Sequence, residues 1–240
     1  MPFTAHLDEL RTRLIRCVLA VAVAFVGCFA AAEQIFSLLA APLRALQAPG
    51  MVLIGTAVAE AFLTKLKISL VAAVAVALPV LLWQAWQFVA PGLYAHEKAY
   101  ARSFVAAGSL FFLAGATFCY AVVLRYGLGF LLHRYEAIRV RPMIHTADYL
   151  ALVARLVLAF GIMFQLPVAA YFLARVGLID HRFLTRYFGY GLIGIAALAA
   201  VLTPPDLISQ VLLMVPLTVL YGVSIAVAYF AGRPRENEER

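Results

Sequence analysis

Six apolar runs separated by short polar stretches set the pattern of this chain, at roughly 14–32, 68–89, 103–124, 150–176, 187–202 and 207–230. Each is long enough, or nearly so, to carry a helix across ~30 Å of hydrocarbon. A helix pairs its own backbone groups in lipid, so the runs predict an all-α polytopic membrane protein with six transmembrane helices. The fifth run is short: its roughly 16 residues reach about 24 Å at ~1.5 Å per residue. It stops at Thr203-Pro204-Pro205-Asp206, where two prolines prevent the helix from continuing. A short span implies local bilayer thinning or shelter by neighbouring helices. The pattern predicts one six-helix membrane domain over 1–232, a polar tail over 233–240 and no soluble domain.

An even number of spans returns the chain to its starting side. That near side carries Arg11, Arg13, Arg16, Lys98, Arg102, Arg175, Arg182, Arg186, Arg233, Arg235 and Arg240. The far side carries Arg44, Lys65, Lys67, Arg125, Arg134, Arg139, Arg141 and Arg155. Basic residues favour the cytoplasmic side, so both termini are expected there. The two long loops fall on the far side. In the first, Phe36, Leu39, Leu43 and Leu46 share one helical face, and Pro42 and Pro49 are expected to break it. The second, 126–149, mixes Gly127, Gly129 and Pro142 with several arginines. Together they read as a partly ordered cap. Pro91, like Pro42, Pro204 and Pro205, is expected at a structural turn.

Composition narrows the class. The chain of 240 residues is 65% hydrophobic and 13% charged, with a mean hydropathy of +0.95. Soluble domains carry about 25% charged residues, so the bilayer is the solvent here. A net charge of +7 fits basic loops facing anionic lipid better than nucleic-acid binding. Cys17, Cys28 and Cys119 all fall in apolar runs; they read as small buried groups, with neither a disulfide framework nor a metal set. The run following Arg11, Arg13 and Arg16 is longer than the ~7–15-residue core of a cleavable leader, so the N-terminal segment is expected to be retained.

Enzymatic machinery is not evident. No glycine-rich phosphate loop, Cys/His metal cluster or Gly-x-Ser-x-Gly elbow occurs, so no enzyme activity, cofactor or metal is expected. His133, His145 and His181 read as solvated loop residues. Two acidic motifs stand out instead: His6-Leu7-Asp8-Glu9-Leu10-Arg11-Thr12-Arg13-Leu14 before the first span, and Phe88-Val89-Ala90-Pro91-Gly92-Leu93-Tyr94-Ala95-His96-Glu97-Lys98 after the second. Two crossings put Glu9 and Glu97 on one side. Glu9 has a local answer, since Arg13 lies four residues on in the favourable order, and Asp8 can likewise pair with Arg11. Glu97 meets Tyr100 and Ala101 at that spacing, so no nearby cation answers it, and a solvated loop carboxylate and a binding group both fit. Gln165 falls in the fourth span, where Pro167 frees a backbone carbonyl that it could satisfy; helix–helix hydrogen bonding and a polar groove both fit. Thr203, Asp206 and Gln210 form a polar cluster beside the short span, either a self-satisfying turn or a docking site for another membrane helix.

These residues carry a resemblance. His6-Leu7-x-Glu9-Leu10-Arg11-x-Arg13-Leu14, Ala90-Pro91-Gly92-Leu93-Tyr94-x-x-Glu97 and Leu202-Thr203-Pro204-Pro205-Asp206-x-x-Ser209-Gln210 resemble the TatC family, a subunit of the twin-arginine protein translocase. Ala40-Ala41-Pro42-Leu43 and Ala159-Phe160-Gly161 extend the match over nearly the whole chain. The resemblance implies a concave, cupped arrangement of the six helices and residence in the bacterial cytoplasmic membrane. It implies a receptor for the twin-arginine signal peptides of folded precursors, with Glu9 and Glu97 as the binding acids and His6, Arg11 and Phe88 beside them. It implies recruitment of TatA/TatB-type single-span partners at Thr203, Asp206 and Gln210, and self-association in a receptor complex. Many relatives carry a glutamate where this chain has Gln165, which puts in doubt any proton exchange there. The rival is a secondary transporter or channel for small solutes using Glu97, Gln165 and Asp206. That class places ionisable groups near the midplane, where this chain has only neutral Gln165.

Overall fold

The computed structural model describes residues 3–45, 52–89, 101–137, 143–203 and 207–232. Long helices follow the apolar runs: α1 (Phe3–Ala30), α3 (Glu60–Val89), α4 (Ala101–Phe118) continued by α5 (Leu124–Ala137), α6 (Thr146–Met163) with α7 (Gln165–Arg175), α9 (Phe188–Leu202) and α10 (Leu207–Ala231). The amphipathic α2 (Ala32–Ala45) and the short α8 (His181–Arg186) complete the α-helices among the described residues. Among the described residues, five helical stretches are long and apolar enough to cross a membrane: Leu7–Ala30, Glu60–Phe88, Ala101–His133, Thr146–Arg175 and Leu207–Ala231. The shorter apolar Phe188–Leu202 falls on the fifth expected span.

Helices pack in a sequence set by their contacts. α1 leans along α3, α3 meets α4 and α6, α4 crosses α6 and α7, α7 pairs with α10, and α10 carries α9. Both ends of that series are open. Among the described side chains of α1 only Cys28 is buried, and α9 buries only Ile195, Ala199 and Leu202. Small residues let the central helices close. A Cβ on Gly115 would lie 2.7 Å from the Phe160 carbonyl oxygen, and one on Gly161 would strike the Phe112 ring. Such contacts are how helices gain packing in lipid, where no hydrophobic drive separates helix from solvent.

Three loop expectations need correction. Pro42 lies inside α2 and does not break it. Proline removes the N–H that would bond the carbonyl four residues back, at Leu38, and the Tyr120 hydroxyl donates to that carbonyl at 2.8 Å. Tyr149 donates to the next carbonyl, Leu39, at 3.0 Å. Tyr120 belongs to a π-helical turn, Cys119–Val123, a wider wind that occurs mostly as single turns inside α-helices. The second correction is that most of the 126–149 loop is helix: α5 runs to Ala137. The third is that the cap contains strands. β1 (Val52–Ile54) pairs in parallel with β2 (Met143–His145), tying the two far-side loops together. Glu60 reinforces the join, accepting the backbone N–H of Thr56 at 2.6 Å and Ala57 at 3.2 Å on one oxygen, and that of Ala147 at 3.1 Å on the other. All three cysteines are free, with Cys28 and Cys119 buried.

Candidate functional site

α1 and α3 bring the first acidic motif against the start of the second. The Glu9 carboxylate is held by Arg13 one turn on, through both Nη2 and Nε, the latter at 3.1 Å. Both bonds fall on Oε1. The remaining terminal nitrogen of Arg13 crosses to α3 and donates to the Gln87 Oε1 at 2.7 Å. The Arg13 side chain is 16% exposed and that of Glu9 25%, so this is a partly dehydrated charge pair. The local pairing expected as the alternative for Glu9 is therefore formed. Asp8 and Arg11 are both exposed and form no ion pair among the described residues. Phe88 is half-buried at the end of α3, next to Gln87. His6 lies in the first turns of α1. Glu97, Pro91 and His96 lie outside the described residues, as do Pro204, Pro205 and Asp206.

One residue before Gln87, Trp86 belongs to an aromatic cluster that the sequence patterns did not single out. Trp86 is 6% exposed and packs on Phe104 at 4.9 Å and edge-on to Phe172 at 5.7 Å between ring centres. Its indole N–H has no hydrogen-bond partner among the described residues, and neither have Gln84 Oε1 or Arg175 Nε. Arg175 ends α7, which closes on Gly177 at φ 80°. Leu178 N–H reaches the Leu173 carbonyl and Gly177 N–H that of Ala174, the double bond that finishes a helix through a left-handed glycine. Gln84 and Gln87 carried a usable signal, as polar groups in the last turns of an otherwise apolar span. Only the crossing of α1 shows which one has a cation to meet.

Gln165 opens α7 at the break in the fourth span. Its amide donates to the Gly108 carbonyl on α4 at 3.0 Å and to that of Gly161 at 3.4 Å. The carbonyl freed by Pro167 belongs to Met163, so Gln165 serves other acceptors than the expected one. Gln165 Oε1 is buried without a partner among the described residues. Helix–helix bonding is thus its described use. At the far side, the Thr203 hydroxyl donates to the Ala199 carbonyl at 2.8 Å and the Gln210 amide to that of Ala196 at 3.2 Å, so both bind their own helix pair. A cavity of about 670 Å³ also lies on the far side, between α2, α3 and the start of α6. No metal-holding cluster of His, Cys, Asp and Glu occurs among the described residues.

A polytopic helical membrane protein is defined by this fold, with a partly buried ion pair where α1 meets α3. The TatC family model, described as Sec-independent protein translocase protein, matches residues 5–216. The TatC protein of Desulforapulum autotrophicum is 39% identical, over 99% of this chain and 88% of its own length. That of Azotobacter chroococcum is 41% identical, over 100% of this chain and 92% of its own. A crystal structure of the twin arginine translocase receptor TatC superposes with a TM-score of 0.87 at 35% identity, over 95% of this chain and 100% of that one. The chain belongs to the TatC family. Its class of function is Sec-independent protein translocation, and a carrier of small solutes is not favoured.

Proposed function

We propose that the near-side end of this protein receives the paired arginines of a twin-arginine export signal, with Glu9 and Glu97 as the two acceptors. The reading is carried by membership of the TatC family, and the Glu9 carboxylate already binds a guanidinium, that of Arg13, in a partly shielded position. A carboxylate that binds one guanidinium can bind another. The planar fork of arginine matches a carboxylate in a way that the ammonium of lysine does not. Neighbouring residues of an extended signal lie about 3.3–3.6 Å apart and point to opposite sides, so the two acids flank the peptide.

A charged hydrogen bond contributes roughly 1.5–3 kcal/mol net. At Glu9 an incoming arginine replaces a resident one and gains only the difference. Glu97 and the apolar segment of the signal, laid beside Phe88, therefore supply most of the affinity. His6 and Arg11 border the site. The finer assignments follow the same reading: one membrane domain over 1–232, a polar tail over 233–240, the bacterial inner membrane, and both termini in the cytoplasm, as the basic-residue bias favours. Thr203, Asp206 and Gln210 receive a TatA/TatB-type single-span helix beside the short α9. Copies of the chain associate through the open flanks.

Binding of a labelled twin-arginine signal peptide to the purified protein tests the acids. Glu97→Ala is expected to weaken binding about tenfold or more, and Asp8→Ala to leave it near the wild-type value. A twin-lysine peptide is expected to bind far less well. Equal effects of the two substitutions, or equal binding of the two peptides, would contradict the reading.

A further inference from the structure

The acid at the centre of the proposed site is occupied before any signal arrives. We propose that Arg13 is a resident competitor for Glu9, and that Gln87 is the positioning residue that keeps Arg13 satisfied when an incoming guanidinium takes the carboxylate. This rests on Glu9 being a signal-binding acid.

Arg13 spends Nε and Nη2 on Glu9, leaving Nη1 for Gln87 at 2.7 Å. Its two acceptors sit on different helices, α1 and α3, and are independent of one another. Removing the Glu9 contact alone leaves the guanidinium on Gln87. Removing both strands a cation whose side chain is only 16% exposed, and leaving a partly buried charge unanswered is unfavourable. Gln87 is neutral, so it accepts one bond without holding Arg13 as firmly as a second carboxylate would. The exchange at Glu9 is therefore guanidinium for guanidinium, with a retained hydrogen bond to α3. A cation lacking the fork returns less than Arg13 gives up. The resident arginine thus acts as a threshold that raises selectivity for arginine over lysine.

Peptide affinity of the full-length protein in detergent tests this, using twin-arginine and twin-lysine signal peptides as probes. Gln87→Leu is expected to weaken twin-arginine binding about tenfold, because Arg13 then has nowhere to go. Gln87→Glu retains an acceptor and is expected to bind at least as tightly as wild type. Arg13→Gln is expected to strengthen binding of both peptides and to narrow the gap between them. In that background, adding Gln87→Leu should change nothing. Equal loss in Gln87→Leu and Gln87→Glu, with Arg13 intact, would overturn the proposal, and that comparison stands even if Arg13→Gln does not fold. An undiminished effect of Gln87→Leu in the Arg13→Gln background would also overturn it. Glu9→Gln separates the two layers: if that variant binds the twin-arginine peptide as well as wild type, the assignment of Glu9 fails. If it loses binding while Gln87 and Arg13 show no coupling, only the exchange fails.

Discussion

Single polar side chains in this molecule are assigned to particular backbone and side-chain acceptors. Tyr120 is the clearest case, because its hydroxyl answers the Leu38 carbonyl that Pro42 leaves open. Tyr120→Phe is expected to lower stability by about 1 kcal/mol, read as a lower midpoint of thermal unfolding in detergent. In a Pro42→Ala background, α2 regains an N–H for Leu38, and the same substitution should cost less. A full-sized loss in both backgrounds would show that the hydroxyl acts elsewhere. Pro42 was visible as a helix breaker in the sequence, but its remedy was not, since Tyr120 lies 82 residues beyond Leu38. Gln165 repeats the lesson. Its place in an apolar span marked it as a hydrogen-bonding group, whereas its acceptor on Gly108 depends on how closely α4 approaches.

Between elements, the close passage of α4 against α6 sets the centre of the structure. Phe112 covers Gly161, and Gly115 lies against Phe160 and Phe164. Adding even a methyl at Gly115 forces a Cβ to within 2.7 Å of a backbone carbonyl, which cannot swing aside as a side chain can. Overpacking of this kind costs typically ~1–3 kcal/mol. Gly115→Ala is therefore expected to lower the unfolding midpoint clearly, while Gly127→Ala, where a Cβ meets nothing within 4 Å, should not. Similar midpoints for the two would mean that α4 and α6 can part without penalty. Helix periodicity located both helices. It did not reveal which glycines face a neighbour, because a glycine shows no preference for the buried face.

On the scale of the whole molecule, five helical crossings lie between Glu9 and Thr203 at the end of α9, which puts the two residues on opposite sides of the membrane. Signal binding and partner recruitment are then expected to fail independently. Replacing Thr203 and Gln210 together by Ala removes two internal hydrogen bonds from the end remote from Glu9. Twin-arginine peptide binding should stay within about twofold of wild type, inside the ~0.5 kcal/mol typical of distant independent sites. Export of a folded twin-arginine substrate should be lost. Loss of both activities together, with a lowered unfolding midpoint, would place the defect in folding. The far-side cap belongs to this scale too. Parallel pairing of Val52–Ile54 with Met143–His145 joins the two loops that the sequence read together as a cap, through strands that neither loop's own pattern revealed.

Apolar content and run length settle by themselves that lipid surrounds this chain, that helices carry it across and that the fifth helix is short. Each of those properties is local, decided by the hydration of a residue and the backbone needs of its own segment. The tertiary structure alone decides which group answers which. Glu9 finds Arg13 within its own helix, but Arg13 is shared with Gln87, 74 residues away. That sharing turns a surface-type ion pair into one end of a bridge between helices, since partnership depends on distance in space and periodicity carries information only along a single helix.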